Sequence, residues 1–319
     1  MLARGGAALA DRIRVTPLLP HVAARVEGVE LRRLDDATFA QVFDAFQEHS
    51  VLVFHDQRLT DDEQMAFSRR FGPLEQTIKA PGKENRHHPN LVDLSNVDPD
   101  RDGKLIGWTD RRMVYQSGNQ LWHSDSSFKP VPAMASLLSA REVPPAGGET
   151  EFASMRHAYA TLPADAQRRL EGRVAVHSIL YSRHTIAPNL FDPDQADELP
   201  PVRQALVRTN PVNGRKSIYI GSHAWYIEDL PYEESRRQLD ELLAHTTRPE
   251  LVYQHRWRPW DLVMWDNRCV LHRGRPWDAA RHKRVMRRTT VAGEGPTAEP
   301  PFARRVPRWD GIIAEGVGV

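Results

Sequence analysis

Residues 119–128 read NQLWHSDSSF and place a histidine, His123, two positions before an aspartate, Asp125. Neighbouring residues of an extended segment alternate between its two faces, so these side chains are expected to point the same way and Ser124 the opposite way. An imidazole and a carboxylate side by side can supply two ligands of a metal site. Surface loops also carry His-x-Asp by chance, so the pair needs a third ligand from elsewhere in the chain.

The third ligand is sought among histidines of the later, strand-rich half. Two histidines and one carboxylate on one face of the ion, with open positions opposite, are typical of non-haem Fe(II) oxygenases. His272 has the most suggestive context, because residues 262–278, LVMWDNRCVLHRGRPWD, read as a strand, a tight turn and a second strand that ends in His272. Taken one at a time, histidines more often lie on the surface or in a hydrogen-bonded core. The candidates are His223, His245, His255, His272 and His282.

The composition excludes several classes of protein. The chain has 319 residues, 40% of them apolar, and β-barrels or sandwiches reach this length as one domain, so a single domain over 1–319 is predicted. The 43 basic and 42 acidic residues nearly cancel and give no reason to expect nucleic acid or an anionic membrane as partner. A single cysteine excludes a disulfide framework, and no apolar run approaches the length of a membrane span. A cytoplasmic protein is therefore predicted.

The pattern of apolar residues predicts a mainly β fold with a few helices. Helices are expected at 36–47, at 60–72 after a capping box at Thr60, at 155–171 with a break at Pro163, and at 232–245. Neither a GxGxxG nor a GxxxxGK[ST] motif is present. The expected architecture is an antiparallel double-sheet barrel with helices packed outside. Its strands are predicted at 51–54, 133–140, 174–180, 217–220, 251–257, 262–265, 270–272 and 285–291.

Four motifs in order, WHSDSSF, PPAGGETEF, WDNRCVLHRG and RVMRRTT, resemble the Fe(II)/2-oxoglutarate-dependent dioxygenases of the taurine dioxygenase family. Within that family the likeness is nearest to the 2,4-dichlorophenoxyacetate, or aryloxyalkanoate, branch. It extends from about residue 30 to residue 293. The resemblance implies a double-stranded β-helix (jelly-roll) core with outer helices, and Fe(II), 2-oxoglutarate and dioxygen as reactants. It also implies that His123, Asp125 and His272 are the iron ligands.

The motif RVMRRTT carries two arginines that the resemblance assigns to anions. Alternation along a strand places Arg284, Met286 and Arg288 on one face. The resemblance implies that Arg284, with the hydroxyl of Thr150, holds the far carboxylate of 2-oxoglutarate, for which a planar guanidinium is well suited. It implies that Arg288 is the counter-ion of an acidic substrate, because a second inward cation without a protein partner would need an anion. The alternatives are an ion pair between Arg288 and a protein carboxylate, and a basic run that only guards an edge strand.

Further residues are expected to line the substrate pocket. By resemblance these are Asn119, Ser182 with Arg183, and His223, while Leu121, Trp225 and Phe128 are candidates for an apolar remainder. Residues 77–113 are rich in Pro, His, Asp and Gly and lack periodicity, which predicts an active-site lid loop. A homo-oligomer is also expected.

The implied activity is hydroxylation of a small organic anion, with release of succinate and carbon dioxide. An aryloxyalkanoate hydroxylated next to its ether oxygen would give a hemiacetal that collapses, so the enzyme would cleave the ether. Other family substrates are a sulfonate, a sulfate ester or another carboxylate. Outside the family, the same ligands can hold Zn(II) in a hydrolase, or the fold can be a non-catalytic binding module. Oxygen consumption that depends on 2-oxoglutarate separates the dioxygenase from the hydrolase. Absence of succinate release across a panel of carboxylates and sulfonates would favour the binding module.

Overall fold

Strands are the most numerous regular elements of the described residues. The computed structural model describes residues 13–76, 88–98, 103–187, 190–191 and 198–303. The strands of this part are β1 (Arg14–Leu19), β2 (Val22–Glu27), β3 (Val51–Phe54), β4 (Leu91–Asp93), β5 (Val97–Asp98), β6 (Lys104–Leu105), β7 (Ala135–Glu142), β8 (Thr150–Ser154), β9 (Val174–His177), β10 (Val202–Ala205), β11 (Val207–Thr209), β12 (Lys216–Ile218), β13 (Ala224–Ile227), β14 (Val252–His255), β15 (Leu262–Asp266), β16 (Val270–Gly274) and β17 (Val285–Val291).

The helices of the described residues are short and pack outside the strands. They are α1 (Asp36–His49), α2 (Asp61–Arg69), α3 (Arg111–Ser117), α4 (Met155–Ala160), α5 (Ala164–Leu170), α6 (Ile179–His184) and α7 (Tyr232–Thr246). None of them is both long enough and apolar enough to cross a lipid bilayer.

Two sheets form the centre of the molecule. The larger has the order β1-β2-β3-β15-β7-β17-β4 and is antiparallel except for the parallel pair β2 and β3. The smaller has the order β14-β8-β16. One buried cluster contains Val263 and Trp265 of the larger sheet together with Phe152 and Val270 of the smaller, and the Phe152 and Trp265 ring centroids are 5.5 Å apart. The two sheets therefore enclose a common interior between them.

The outer faces of both sheets are covered by helices. Because side chains alternate along a strand, Leu262 and Met264 of β15 point away from the interior and join the cluster beneath α1 and α2. On the smaller sheet, Ala153 and Leu271 pack against residues of α4 and α7. The prediction of a mainly β fold with outer helices is confirmed.

Several predicted elements agree closely with the structure. Strands 51–54 and 285–291 are confirmed, and the break at Pro163 separates α4 from α5. The capping box is present: the Thr60 hydroxyl accepts from the Glu63 amide, and the Glu63 carboxylate accepts from the Thr60 amide. Helix α2 nevertheless ends at Arg69 and not at residue 72.

One predicted strand is too long, and one predicted extended segment is not a strand. The strand predicted at 174–180 ends at His177, because the Ser178 hydroxyl accepts from the Tyr181 amide and caps helix α6. The segment 119–128 is not a strand either. It begins in the 3-10 helix Gly118–Gln120, makes a single β-bridge at His123, and continues as a turn in which Ser126 has a φ of 56°.

The predicted lid region contains regular structure. Residues 77–87 and 99–102 lie outside the described part. Within the rest, β4 pairs with the edge of β17, β5 and β6 form a small hairpin, and α3 follows. Arg112 binds Asp98 and Asp110, each at 2.9 Å, and so ties α3 to this hairpin.

Candidate active site

The three predicted metal ligands converge at one end of the interior. His272 lies on β16, and the backbones of His123 and His272 exchange two hydrogen bonds, of 3.0 and 2.9 Å. The turn after His123 brings Asp125 to the same point. The carboxylate lies 3.7 Å from Nε2 of His123 and 3.5 Å from Nε2 of His272, and one donor atom from each of the three residues lies within 4.8 Å of the others.

Both imidazoles are uncharged at neutral pH and can donate a lone pair to a metal. A carbonyl can only accept, so Nδ1 of His123 carries the proton that is donated to the Leu121 carbonyl at 2.8 Å, and Nε2 stays free. Burial lowers the pKa of His123 to about 4, although Asp125 opposes this. Burial also lowers the pKa of His272 well below its usual value.

Asp125 is held ionised by its neighbours. Burial would raise its pKa, but the charge of Arg288, together with smaller effects of the Ser136 hydrogen bond and of the histidines where these are protonated in acid, outweighs burial, and the pKa lies below its usual value. Nη1 of Arg288 donates to Oδ1 at 2.5 Å, and the Ser136 hydroxyl donates to Oδ2 at 2.7 Å. The result is a fixed carboxylate between two neutral imidazoles, the donor set of a facial metal site.

Asn267 supports the carboxylate from behind, in the turn between β15 and β16. Its amide nitrogen donates to Ser136 at 2.9 Å, and its oxygen accepts from the Asp125 backbone at 3.2 Å and from the Trp265 indole at 3.0 Å. The sequence did not predict this role, although Asn267 lies in the motif WDNRCVLHRG. Residues that orient a ligand in this way tune metal affinity.

A pocket of about 610 Å³, counted with its open mouth, adjoins the two histidines. Among the described residues that line it, none is acidic and three are arginines. The indoles of Trp108 and Trp277 meet at 4.9 Å between centroids. Trp108 was also missed, because it lies in the aperiodic segment 77–113. The lining residues are Leu94, Trp108, Gln116, Asn119, Gln120, His123, Leu138, Thr150, Trp265, His272, Gly274, Arg275, Trp277, Arg284 and Arg288.

Arg284 is a buried cation without a carboxylate partner in the described part of the chain. Its Nε donates to the Gly148 carbonyl at 3.2 Å, and its guanidinium lies 5.3 Å from the Trp277 ring. Burial lowers the pKa of Arg284 to about 10, so it is still charged at neutral pH. Thr150 lines the same pocket and accepts a hydrogen bond of 2.9 Å from the indole of Trp257.

Arg288 also lines the pocket, but it does have a protein partner. The expectation that it lacks one is wrong, because its Nη1 binds Asp125. Its Nε is buried and makes no hydrogen bond, so the guanidinium keeps an unused donor. Its assignment to a substrate anion stays a prediction.

The other predicted pocket residues divide into two groups. Asn119 lines the pocket, whereas Ser182 and His223 lie behind it, fully buried, and bind each other at 2.8 Å. The His223 ring lies 6.0 Å from that of His123 and 4.8 Å from that of Phe128. Trp225 packs with Val176 in a separate cluster, and the described pocket wall includes none of Leu121, Phe128 and Trp225.

Comparison with known proteins places the chain among dioxygenases. The sequence profile described as taurine catabolism dioxygenase TauD, TfdA family matches residues 14–290. An alpha-ketoglutarate-dependent 2,4-dichlorophenoxyacetate dioxygenase of Cupriavidus pinatubonensis is 47% identical over 278 residues, which are 86% of this chain and 96% of that protein. An (S)-phenoxypropionate/alpha-ketoglutarate-dioxygenase of Sphingobium herbicidovorans is 39% identical over 295 residues, 91% of this chain and 98% of that protein.

A solved structure is similar over nearly its whole length. The crystal structure of AAD-2 in complex with Mn(II) and N-oxalylglycine is 43% identical, covers 90% of this chain and 99% of its own, and superposes with a TM-score of 0.82. The profile match and the identity to these relatives both extend over most of the sequence. The chain belongs to the taurine catabolism dioxygenase TauD, TfdA family.

Proposed function

We propose that this protein is an Fe(II)- and 2-oxoglutarate-dependent dioxygenase that hydroxylates a small organic anion, an aryloxyalkanoate. The observation that carries the proposal is the buried, unpaired cation of Arg284 in the same pocket as the histidines of the His-Asp-His set. A metal site alone fits several reactions. A metal site with a buried arginine that lacks a carboxylate fits a reaction whose cosubstrate chelates the metal at one end and presents an anion at the other.

The residues present suit Fe(II). His123, Asp125 and His272 would hold it, since their donors are two neutral nitrogens and one ionised oxygen that lie within 4.8 Å of one another. The bound metal would supply the dioxygen chemistry, in which 2-oxoglutarate, dioxygen and a substrate C–H group become succinate, carbon dioxide and a C–OH group. The protein contributes the position of each reactant and the exclusion of water.

Arg284 and Thr150 serve the cosubstrate. The Trp257 indole donates to the Thr150 oxygen, which leaves the hydroxyl hydrogen of Thr150 free to donate to an anion. A guanidinium and a hydroxyl on one wall are a suitable pair for the far carboxylate of 2-oxoglutarate. A zinc hydrolase has no need of such a cation, and it needs a general base that the acid-free wall of the described pocket does not offer.

The substrate proposal rests on the relatives and on the walls of the pocket. The similar proteins are named for 2,4-dichlorophenoxyacetate and for (S)-phenoxypropionate. Trp108 and Leu138 offer apolar surface for an aryl group, and Arg288, which lines the same pocket, offers a cation for the acid. Hydroxylation next to the ether oxygen would yield a hemiacetal that collapses to a phenol and an oxo acid. Sulfonates, sulfate esters and other carboxylates are the alternative substrates.

The proposed fold of the enzyme is a jelly-roll core within one domain. The larger sheet facing β14-β8-β16 is consistent with a double-stranded β-helix, or jelly-roll, core within a single domain over 1–319. The lid function of residues 77–113 stays a prediction, as do the homo-oligomer and the cytoplasmic location. Cys269, the one cysteine, is buried and unpaired, in keeping with that location.

The activity is tested by oxygen consumption in the presence of Fe(II). We expect uptake of oxygen with phenoxyacetate only when 2-oxoglutarate is added, and succinate and phenol in equal amounts. Asp125→Ala protein is the control for metal-dependent chemistry. Release of phenol without 2-oxoglutarate, or no succinate from any member of a panel of carboxylates, sulfonates and sulfate esters, would contradict the proposal.

Replacement of Thr150 by valine is expected to raise the Michaelis constant for 2-oxoglutarate about tenfold, since a hydrogen bond to a charged group contributes at least about 1.5 kcal/mol. Thr289→Val is the matched control. Thr289 is also buried, but its hydroxyl meets Ser68 of α2 on the outer face of the larger sheet, at 2.6 Å. The control should lose stability without any change in the 2-oxoglutarate dependence. Equal Michaelis constants in Thr150→Val and wild-type protein would remove Thr150 from the site.

A further inference from the structure

Arg183, on helix α6, is a second buried cation without a carboxylate partner in the part of the chain that the structure describes. Only 4% of the residue is exposed. Its contacts are neutral: Nη2 donates to Oδ1 of Asn119 at 3.4 Å, Nη1 to the Ser182 hydroxyl at 3.5 Å, and the guanidinium lies 5.1 Å from the Tyr115 ring. Its Nε is buried and makes no hydrogen bond. A buried charge left in this condition is costly, so an anion is its natural complement.

The backbone next to the pocket makes room for this cation. The guanidinium lies against Gly118, where the Cβ of any other residue would overlap it. Gly118 starts the 3-10 turn Gly118–Gln120, and both Asn119 and Gln120 line the pocket. The charge of Arg183 is therefore separated from the pocket by the thickness of one turn.

Arg183 also determines which end of the Asn119 amide is available to a ligand. A guanidinium has only donors, so the atom of Asn119 that meets it must be the carbonyl oxygen. The NH₂ group of Asn119 is then the end that is left to bind a ligand. An amide nitrogen with a cation behind it is a donor suited to a carboxylate oxygen.

We propose that Arg183 makes the pocket selective for an anionic substrate, by orienting the Asn119 amide as a donor and by placing behind it a positive charge that no described carboxylate binds directly. The inference rests on the proposed function, since the anion is the carboxylate of the substrate. Arg183 is a positioning residue that acts through Asn119. Arg288 also favours an anion, but its positive charge is partly neutralised by its ion pair with Asp125, a candidate metal ligand.

A purely structural role for Arg183 makes a different prediction. If the arginine only ties α6 to the turn Gly118–Gln120, its loss should weaken every substrate alike or lower the stability of the protein. If Arg183 selects for charge, its loss should weaken the binding of an acid and leave the binding of the matching amide nearly unchanged. Comparison of phenoxyacetate with phenoxyacetamide separates the two roles, because these probes differ in charge and hardly in shape.

The test uses protein loaded with Mn(II) and N-oxalylglycine, which does not turn over, and measures the binding of both probes by calorimetry. We expect Arg183→Met to weaken phenoxyacetate binding by about 10- to 100-fold, as for the loss of a charged partner, and phenoxyacetamide binding by no more than about threefold. Arg183→Lys should restore much of the acid affinity. Asn119→Asp, nearly equal in shape, supplies Arg183 with a carboxylate and should also lose the preference for the acid.

Arg208→Met is the matched control, since Arg208 is a buried arginine that lies 4.6 Å from the Tyr219 ring and is not part of the described pocket wall. It should leave the ratio of the two affinities unchanged. If Arg183→Met does not fold, Asn119→Asp decides. An unchanged acid-to-amide ratio in Asn119→Asp, or equal losses for both probes, overturns the proposal. A wild-type protein that does not bind Mn(II) and N-oxalylglycine counts instead against the proposed function, and the ratio is then measured on metal-free protein.

Discussion

Asp125→Ala protein is expected to bind Fe(II) at least about 100-fold more weakly than wild type and to lose turnover, since even residues that only orient a ligand change metal affinity by about 10- to 100-fold. The change removes the only charged donor of the three residues. Asp125 also neutralises Arg288 at 2.5 Å, so its loss leaves that cation without its carboxylate next to the metal. The two remaining imidazoles would then face a positive charge in place of a negative one.

The experiment measures Fe(II) or Mn(II) affinity anaerobically, together with succinate formation. Asp125→Asn separates charge from shape, because the amide keeps the size of the side chain and lacks its charge. Ser136→Ala provides a graded comparison. It removes the 2.7 Å hydrogen bond to Oδ2 of Asp125 and should weaken metal binding by about tenfold. Wild-type metal affinity and turnover in Asp125→Ala protein would exclude Asp125 from the site.

Arg284→Met is expected to raise the Michaelis constant for 2-oxoglutarate by about 10- to 100-fold and to leave Fe(II) affinity unchanged, because a charged hydrogen bond contributes about 1.5–3 kcal/mol. The same substitution should not destabilise the ligand-free protein, although it weakens the binding of 2-oxoglutarate. A buried cation without a counter-ion destabilises the ligand-free protein, so an apolar residue of similar volume should leave the melting temperature unchanged or raise it. The increase in melting temperature on addition of 2-oxoglutarate should shrink.

Arg287→Met is the matched control for this prediction. Arg287 lies three residues after Arg284, on the outward-facing side of β17, and binds Asp93 at 2.7 Å. Its loss should not alter the response to 2-oxoglutarate. The role assigned to Arg284 is incorrect if Arg284→Met protein shows the wild-type Michaelis constant, or if the control changes it equally.

Local patterns determined those parts of the fold that depend on neighbouring residues. The capping box at Thr60 is complete within four residues, and the strand 285–291 follows from alternation that the structure keeps, with Arg284 and Arg288 both on the pocket wall. The three candidate metal ligands were predicted together because each lies in a motif that resembles the family, and the structure brings their donor atoms within 4.8 Å of one another. Local patterns were insufficient where two of them overlap. The apolar run 174–180 predicts a strand throughout, but the Ser178 side chain caps a helix that begins at Ile179.

The sequence by itself determined a mainly β fold with outer helices, the types of the candidate ligands, and two arginines of the pocket wall, Arg284 and Arg288, and the tertiary structure decided how those groups are paired. The ion pair between Asp125 and Arg288 joins residues 163 positions apart, and the contact between Asn119 and Arg183 joins residues 64 apart. No local pattern predicts such pairs, since they depend on which strand and turn pack together. The neutral state of His123 and His272 likewise follows from burial, which exists only once both sheets have closed around the site.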